Sequence, residues 1–359
     1  MLKAYKYRLY PNREQRKAIA FTLERCHLLY NRLLGERIHA YKSEGKNVTY
    51  YDQANTLSER KRHIPTLKHV HSQVLQDVVR RLDKAFQAFF RRVKRGETPG
   101  FPRFKSATQY DSFTYPQGGY TISGNKIKLS KIGEVKIKLH RPIEGKIKTC
   151  TIIQKNSKCY VCLSCEVDSV PLPDSAERVG VDLGVKTLAV TSDGEYFESP
   201  TYLRKSEKRL KRLQRSVSRK KKGSSRRKKA VCVLARLHER VANQRKDYAH
   251  KVSRRLVNRY GLIAFEELNV IGMIKNHKLA KSIADSGWSQ LVTFTTYKAE
   301  SAGRVVKQVD PRNTTQLCSN CSEIVKKALS VRVHRCKNCG FVADRDENAA
   351  KNILQRAIA

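Results

Sequence analysis

The sequence predicts an α+β chain of several domains, and three observations carry that prediction. Apolar residues recur at helical spacing up to about residue 97, a period-two pattern follows from about residue 98, and from about residue 176 strands alternate with long basic helices before a four-cysteine ribbon. With 359 residues and 40% hydrophobic content, the chain can form two or three ordinary domains with cores of their own.

Residues 2–10 alternate as a short strand. Pro11 follows, and Asn12 with Gln15 three residues later reads as a capping box that opens a helix. Ile19, Leu23, Leu29, Leu33 and Leu34 suit one face of that helix. Val74, Val78, Leu82, Phe86 and Phe90 repeat at four-residue spacing before Gly96 stops a second, so residues 11–97 are expected to be helical. Beyond the linker TPGFPRF, the segments NKIKLS, GEVKIKLH and GKIKTCTII alternate, with turn signals at Gly124, Asn125, Gly133 and Gly145. They predict a small antiparallel sheet or barrel. Lys126, Lys128, Lys136, Lys138, Lys146 and Lys148 give each strand one basic face, which is either a nucleic-acid surface or simply solvated.

RVGVDLG, TLAVTSDG and EYFES are joined by tight turns and predict a three-stranded meander. Two basic helices follow at about 203–222 and 226–258, joined by the low-complexity turn SRKKKGSSRRKK. The strand GLIAFEELNV, a helix near 287–302, the strand RVVKQVD, the cysteine ribbon and a C-terminal helix complete the order.

Lys and Arg outnumber Asp and Glu by 74 to 32, and the resulting net charge of +42 exceeds what solubility requires. A polyanion is the expected partner. The N-terminus MLKAYKYRLY has no apolar leader core, and no stretch approaches a membrane-spanning helix, so nucleic acid is favoured over a membrane surface. Ten cysteines spread through a long chain, four of them at metal spacing, indicate a reducing cytoplasm rather than a secreted disulfide scaffold.

Cys318 and Cys321 are separated by two residues, as are Cys336 and Cys339, with fourteen residues between the pairs. Each turn aims two sulfurs at one point, so the four predict a structural Zn²⁺ site. Cys159, Cys162 and Cys165 lie in a strand-like segment where three-residue spacing points neighbours to opposite faces, which prevents easy sharing of a metal. Cys26, Cys150 and Cys232 lack sequence partners and read as core or surface thiols.

Asp182 interrupts the apolar strand VGVDLG, and Glu266 ends LIAFEEL. A carboxylate in such a strand is costly unless paired, hydrogen-bonded or metal-bound. Asp346 shares a helical face with Ala350 and Ile353, which should carry it inward. Three converging acids would suit Mg²⁺ or Mn²⁺ and phosphodiester hydrolysis, pointing to a nuclease; the other account pairs them with the abundant Arg and Lys. Glu267 and Asp344 compete locally for the second and third positions.

In this order and at these distances, GVDLGVKTLAV, FEELNVIGM, CSNC and CKNCGFVADRDENAAKNIL resemble the TnpB family. LARLHERVANQRKDYAHKVSRRLV looks like its RuvC-domain helix and HKLAKSIADSGWSQL like its active-site lid region. KYRLYPNREQ, PGFPRFKS and SFTYPQG look like its front half, so the resemblance covers essentially the whole chain. It implies an insertion-sequence protein that forms a complex with a guide RNA and cleaves double-stranded DNA beside a short transposon-associated motif. Asp182, Glu266 and Asp346 would be the Mg²⁺-dependent catalytic triad.

The implied architecture is a helical recognition domain, 11–97, inserted in a wedge β-barrel made of 1–10 and 98–175. An RNase H-like (RuvC) α/β domain would follow at 176–310 and 344–359, interrupted by a zinc ribbon at 311–343. Lys and Arg would hold the backbone of a guide–target heteroduplex while base pairing supplies sequence choice. The DNA motif would be read through SQVLQDVVRR and SFTYPQG, which makes Gln73, Gln76 and Thr114 candidates against ordinary surface polarity. Two other functions use similar parts: a guided DNA-binding repressor without cleavage, against which the intact acids argue, and a transposition enzyme.

Overall fold

Strand β1 spans Leu2–Tyr10 and buries Tyr5, Tyr7 and Leu9 on one face, as its alternation requires. In the computed structural model, which describes residues 1–328 and 331–359, the chain forms two compact units, Met1–Asp168 and Ser169–Ala359.

In the first unit, Asn12 and Gln15 form the expected reciprocal cap: Gln15 N–H donates to Asn12 Oδ1 at 2.8 Å, and Asn12 N–H to Gln15 Oε1 at 3.0 Å. Helix α1 then runs Arg13–Glu44 and ends at Gly45, whose φ of 63° is the left-handed conformation that favours glycine. Short helices α2 (Tyr50–Asn55) and α3 (Leu57–His63) and a 3₁₀ turn (Pro65–His69) lead to α4, Ser72–Lys94. Strands β2 (Ser112–Tyr115), β3 (Tyr120–Ser123), β4 (Lys126–Leu129), β5 (Gly133–Lys138), β6 (Lys146–Lys155) and β7 (Lys158–Glu166) complete the unit. Leu23, Leu33, Val74, Leu82, Ile127 and Val161 belong to one core shared by the helices and the sheet.

The sheet has the order β2-β6-β7-β1-β5-β4-β3 and is antiparallel throughout. It corrects the expected barrel: the edge strands β2 and β3 do not pair, so the sheet is open. Yet only residues 116–119 join those two edges, a span of at most about 17 Å in extended chain. The sheet must therefore curl enough to bring the end of β2 within that distance of the start of β3. Pro116, at the exit from β2, has no N–H to offer a closing ladder.

The second unit begins with the expected meander, β8 (Arg178–Asp182), β9 (Thr187–Thr191) and β10 (Tyr196–Glu198). Helices α5 (Tyr202–Ser218) and α6 (Ser225–Arg259) precede β11 (Leu262–Glu266). Helices α7 (Val270–Met273), α8 (His277–Ser286) and α9 (Trp288–Ser301) then lead to β12 (Val305–Val309). The ribbon contributes β13 (Val333–Arg335) and β14 (Val342–Asp344), and α10 spans Arg345–Ile358. The five-stranded sheet has the order β10-β9-β8-β11-β12, with β8, β11 and β12 parallel.

Strand alternation divides this sheet cleanly. Val179, Val181, Ile263 and Phe265 enter a core with Leu256 of α6 and Leu291 of α9. Ala264 instead meets Ile353 and Ala357, so α10 covers the opposite face. That second face carries the acids.

Candidate active and metal sites

Asp182 ends β8 and Glu266 ends the neighbouring parallel strand β11. Their predecessors Val181 and Phe265 are register partners, so the two acids stand side by side on one face. Gly180 precedes Asp182 on that face, and a Cβ there would lie 2.0 Å from the Ala350 carbonyl oxygen. Only glycine lets α10 lie this close to the strand. Asp346, one turn before Ala350, projects from the first turn of α10, and all three acids are buried.

Burial pushes the Asp182 carboxyl well above the usual carboxylate range, and the nearby charges of Glu266 and Asp346 push the same way. Burial also raises Glu266, against a hydrogen bond from Thr314 that favours its anion. Asp346 is held by Arg332 Nη1 at 3.0 Å and Arg345 Nη2 at 2.9 Å. Among the described residues no cation hydrogen-bonds or pairs with Asp182, whose carboxylate receives the Leu183 N–H. The acids therefore share one electrostatic environment, but in this conformation they are not gathered as tightly as the cysteines below.

The two local competitors take other roles. Asp344 is the N-cap of α10 and accepts the Asp346 and Glu347 N–H groups at 2.8 and 3.3 Å. The Glu267 side chain is exposed, while its N–H donates to Val309 O. The Trp288 indole N–H donates to the Gly184 carbonyl at 3.1 Å, which fixes the start of α9 beside the turn that follows Asp182.

The Sγ atoms of Cys318, Cys321, Cys336 and Cys339 all lie within 4.8 Å of one another. Cys318 and Cys339 are 3.6 Å apart, as are Cys321 and Cys336, far beyond a disulfide bond. A tetrahedron of four sulfurs around one Zn²⁺ has edges of about 3.8 Å. The set therefore fits a closed four-thiolate site. Cys339 is pushed down to about 6, first by a hydrogen bond with Asn320. The ribbon is fastened to α10: Asn348 accepts the Ser319 N–H at 2.9 Å and donates to Leu317 O at 2.7 Å, and Asn352 donates to Thr314 O and Leu317 O, both at 2.8 Å.

Cys159 and Cys165 are buried on one face of β7 and Cys162 lies on the other, as the spacing indicated; Cys26 and Cys150 are core thiols and Cys232 is exposed. Gln73 Oε1 accepts the Gly118 N–H at 3.0 Å, which ties the start of α4 to the SFTYPQG loop. Thr114 bonds Arg81 and Thr151, and Gln76 is exposed. Sequence reasoning missed Gly180, Thr314, Arg332 and Arg345, because each acts on an acid through a contact set by the fold rather than by local pattern.

A family model described as "Probable transposase" matches residues 160–277, which include Asp182 and Glu266. A "Cas12f1-like, TNB domain" model matches 288–353, which include the four cysteines and Asp346, and a "Helix-turn-helix domain" model matches 1–46. A Streptomyces pristinaespiralis protein provisionally named an RNA-guided DNA endonuclease is 36% identical over 366 residues, covering 99% of this chain and 90% of that one. The chain belongs to the TnpB family. InsQ of Escherichia coli (strain K12), provisionally named in the same way, is 35% identical over 373 residues, covering 98% of this chain and 92% of that protein. The solved structure of the mini-RNA-guided endonuclease CRISPR-Cas_phi3 has a TM-score of 0.55 at 8% identity and covers 100% of this chain and 92% of that chain, a likeness of fold. In this TnpB protein the region matched by the helix-turn-helix model is strand β1 followed by the single long helix α1. No helix among the described residues is long and apolar enough to cross a membrane.

Proposed function

We propose that the protein is an RNA-guided DNA endonuclease of an insertion sequence, cleaving double-stranded DNA beside a short motif by Mg²⁺-dependent hydrolysis. The observation that carries the reading is the burial of Asp182, Glu266 and Asp346 on one face of the second unit's sheet, inside a chain of net charge +42. The strand order, in which a meander is extended by two parallel strands, supports an RNase H-like domain over 176–310 and 344–359 with a zinc ribbon at 311–343. The helices of 11–97 form the recognition domain, and β1 with 98–175 forms the wedge, an open curled sheet in place of a barrel.

An all-oxygen donor set suits Mg²⁺ or Mn²⁺, and Asp182, whose anion is opposed first by burial and then by its two acidic neighbours, is the residue a divalent cation would relieve most. When bound, such an ion supplies Lewis-acid stabilisation and water activation for phosphodiester hydrolysis. Asp182, Glu266 and Asp346 would hold it; Thr314 orients Glu266, and Arg332 and Arg345 position Asp346. Zn²⁺ sits apart in the four-cysteine site. Guide RNA and target DNA are the partners that the basic surface serves, with Gln73, Gln76 and Thr114 near the short DNA motif.

The test is expression with native flanking DNA, purification at high salt, sequencing of the retained RNA, and cleavage of a matching labelled duplex. Asp182→Ala is expected to abolish cleavage and to retain the same RNA. Cleavage by that variant refutes the site. Joining of DNA ends in place of a guided break establishes the transposition reading, which the "Probable transposase" description favours.

A further inference from the structure

The reading above gives no role to a group of phenylalanines where α4 ends and the PGFPRFK segment begins. Phe101 stands edge-on to Phe86 and Phe89, with ring centres 5.7 and 5.3 Å apart, and Phe89 meets Phe90 at 5.1 Å. Phe90, Phe101 and Phe104 nevertheless remain 51%, 47% and 58% exposed. Phe90 and Phe101 are joined through Phe86 and Phe89, and Phe104, three residues beyond Phe101, lies beside Gly35 of α1; rings left in water are unfavourable for the chain alone, so this exposed set marks a surface that something covers.

The surface is held rigidly. The Asn31 carboxamide clamps the Lys105 backbone from both sides, accepting its N–H at 2.9 Å and donating to its carbonyl at 2.8 Å. His27 Nε2 lies 2.7 Å from the same carbonyl, and Pro102 is buried. The segment that carries Phe101 and Phe104 is thereby fixed to α1.

Its rim is cationic. Residues 91–105 contain six Lys or Arg against the single acid Glu97, which faces Arg95 at 3.8 Å. Exposed aromatic faces within a cationic rim match unpaired nucleotides, whose bases stack while their phosphates meet the cations. A protein partner would need carboxylates as well as hydrocarbon. A DNA strand would occupy the surface only while a target is engaged, whereas exposed rings need cover throughout the life of the protein.

We infer that Phe90, Phe101 and Phe104 form a stacking platform for an unpaired stretch of resident RNA. The inference rests on the RNA-guided reading, but its test requires neither a guide nor cleavage, so the two can fail separately. RNA-free full-length protein is titrated with a fluorescent oligoadenylate RNA of about 12 nucleotides, with the same oligomer made abasic, and with its DNA counterpart. The titrations are run at raised salt, where phosphate contacts are weak.

The double substitution Phe101→Leu, Phe104→Leu keeps apolar bulk and removes the π faces. It is expected to weaken oligoadenylate binding about ten-fold or more, to leave abasic binding unchanged, and to leave the salt slope unchanged. Equal losses for both RNA oligomers, no loss, tighter binding of the DNA counterpart, or a self-association that the substitutions abolish each overturn the proposal. If the variant does not fold, the parent protein still decides: oligoadenylate must bind about ten-fold or more tightly than its abasic form.

Discussion

Gly180→Ala is expected to disable the acids from a position that contains none of them. The new methyl would lie 2.0 Å from the Ala350 carbonyl oxygen and 2.7 Å from the Leu354 nitrogen, both backbone atoms of α10 that no rotamer change can move. Ordinary contact begins at 3.4 Å, so the helix must retreat by about 1.4 Å or tilt. Asn348 and Asn352 hold α10 to the ribbon, and a tilt about that anchor carries Asp346 away from Asp182 and Glu266. Overpacking of this kind lowers stability by about 1–3 kcal/mol, and a misplacement near 1 Å costs about a hundred-fold in rate. Single-turnover cleavage by the RNA-loaded complex measures the second effect and urea unfolding the first. Gly45→Ala is the control: its φ of 63° strains a side chain, but no atom lies within 4 Å, so stability should fall without loss of cleavage. Parental cleavage by a folded Gly180→Ala protein would refute the argument that α10 fixes Asp346 through this contact.

The ribbon and the buried amine of α9 give two further tests. Cys318→Ser should reduce bound zinc from one equivalent per chain to near none in a metal assay, and cleavage should fall with it, because Leu317 and Ser319 anchor α10. Full zinc occupancy in that variant would remove the four-thiolate site. Lys298 is buried, donates to His250 O and Ser253 Oγ at 2.7 Å each, and is pushed down to about 8, chiefly by burial and then by Arg254. Between about 8 and the ordinary 10.5 the unfolded chain binds more protons, so this group makes stability rise with pH across that interval. Lys298→Met should therefore gain relative to the parent most below pH 8, by on the order of 2–3 kcal/mol, and the advantage should shrink toward pH 10. Parallel unfolding curves at all pH values would show that the amine is not desolvated.

Local signals were legible where one element decides them. The cap at Asn12, the bounds of β1 and the burial of Ile19 through Leu34 follow from patterns within a few residues. Asp346 was placed inward because Ala350 and Ile353 share its face, and both are fully buried. The four-residue row of α4 forms its helix but does not stay on one buried face. Four-residue spacing overshoots the 3.6-residue turn by about 40° per step, so the row from Val74 rotates off the core and delivers Phe90 to the surface. Helix α8 escaped notice because its apolar face is short; it begins at Asn276, whose side chain accepts the Lys278 N–H. That the sheet stays open is not legible in the sequence, because a ladder between β2 and β3 depends on backbone groups that no alternation pattern reports.

What no pattern could supply is the coupling between the four cysteines and the three acids. Thr314 uses its hydroxyl on Glu266 and its carbonyl on Asn352, so one residue touches both β11 and the helix that bears Asp346. Leu317, next to the first cysteine, accepts from Asn348 and Asn352 together. A closed thiolate site beside these residues would fix their backbone, and the buried amides pass that rigidity to α10; loss of the Asn352 amide would leave the carbonyl of buried Thr314 unsatisfied at about 1–3 kcal/mol. The ribbon thus serves the acids through position rather than chemistry. It is the brace that holds α10 while Gly180 sets how near the helix can come.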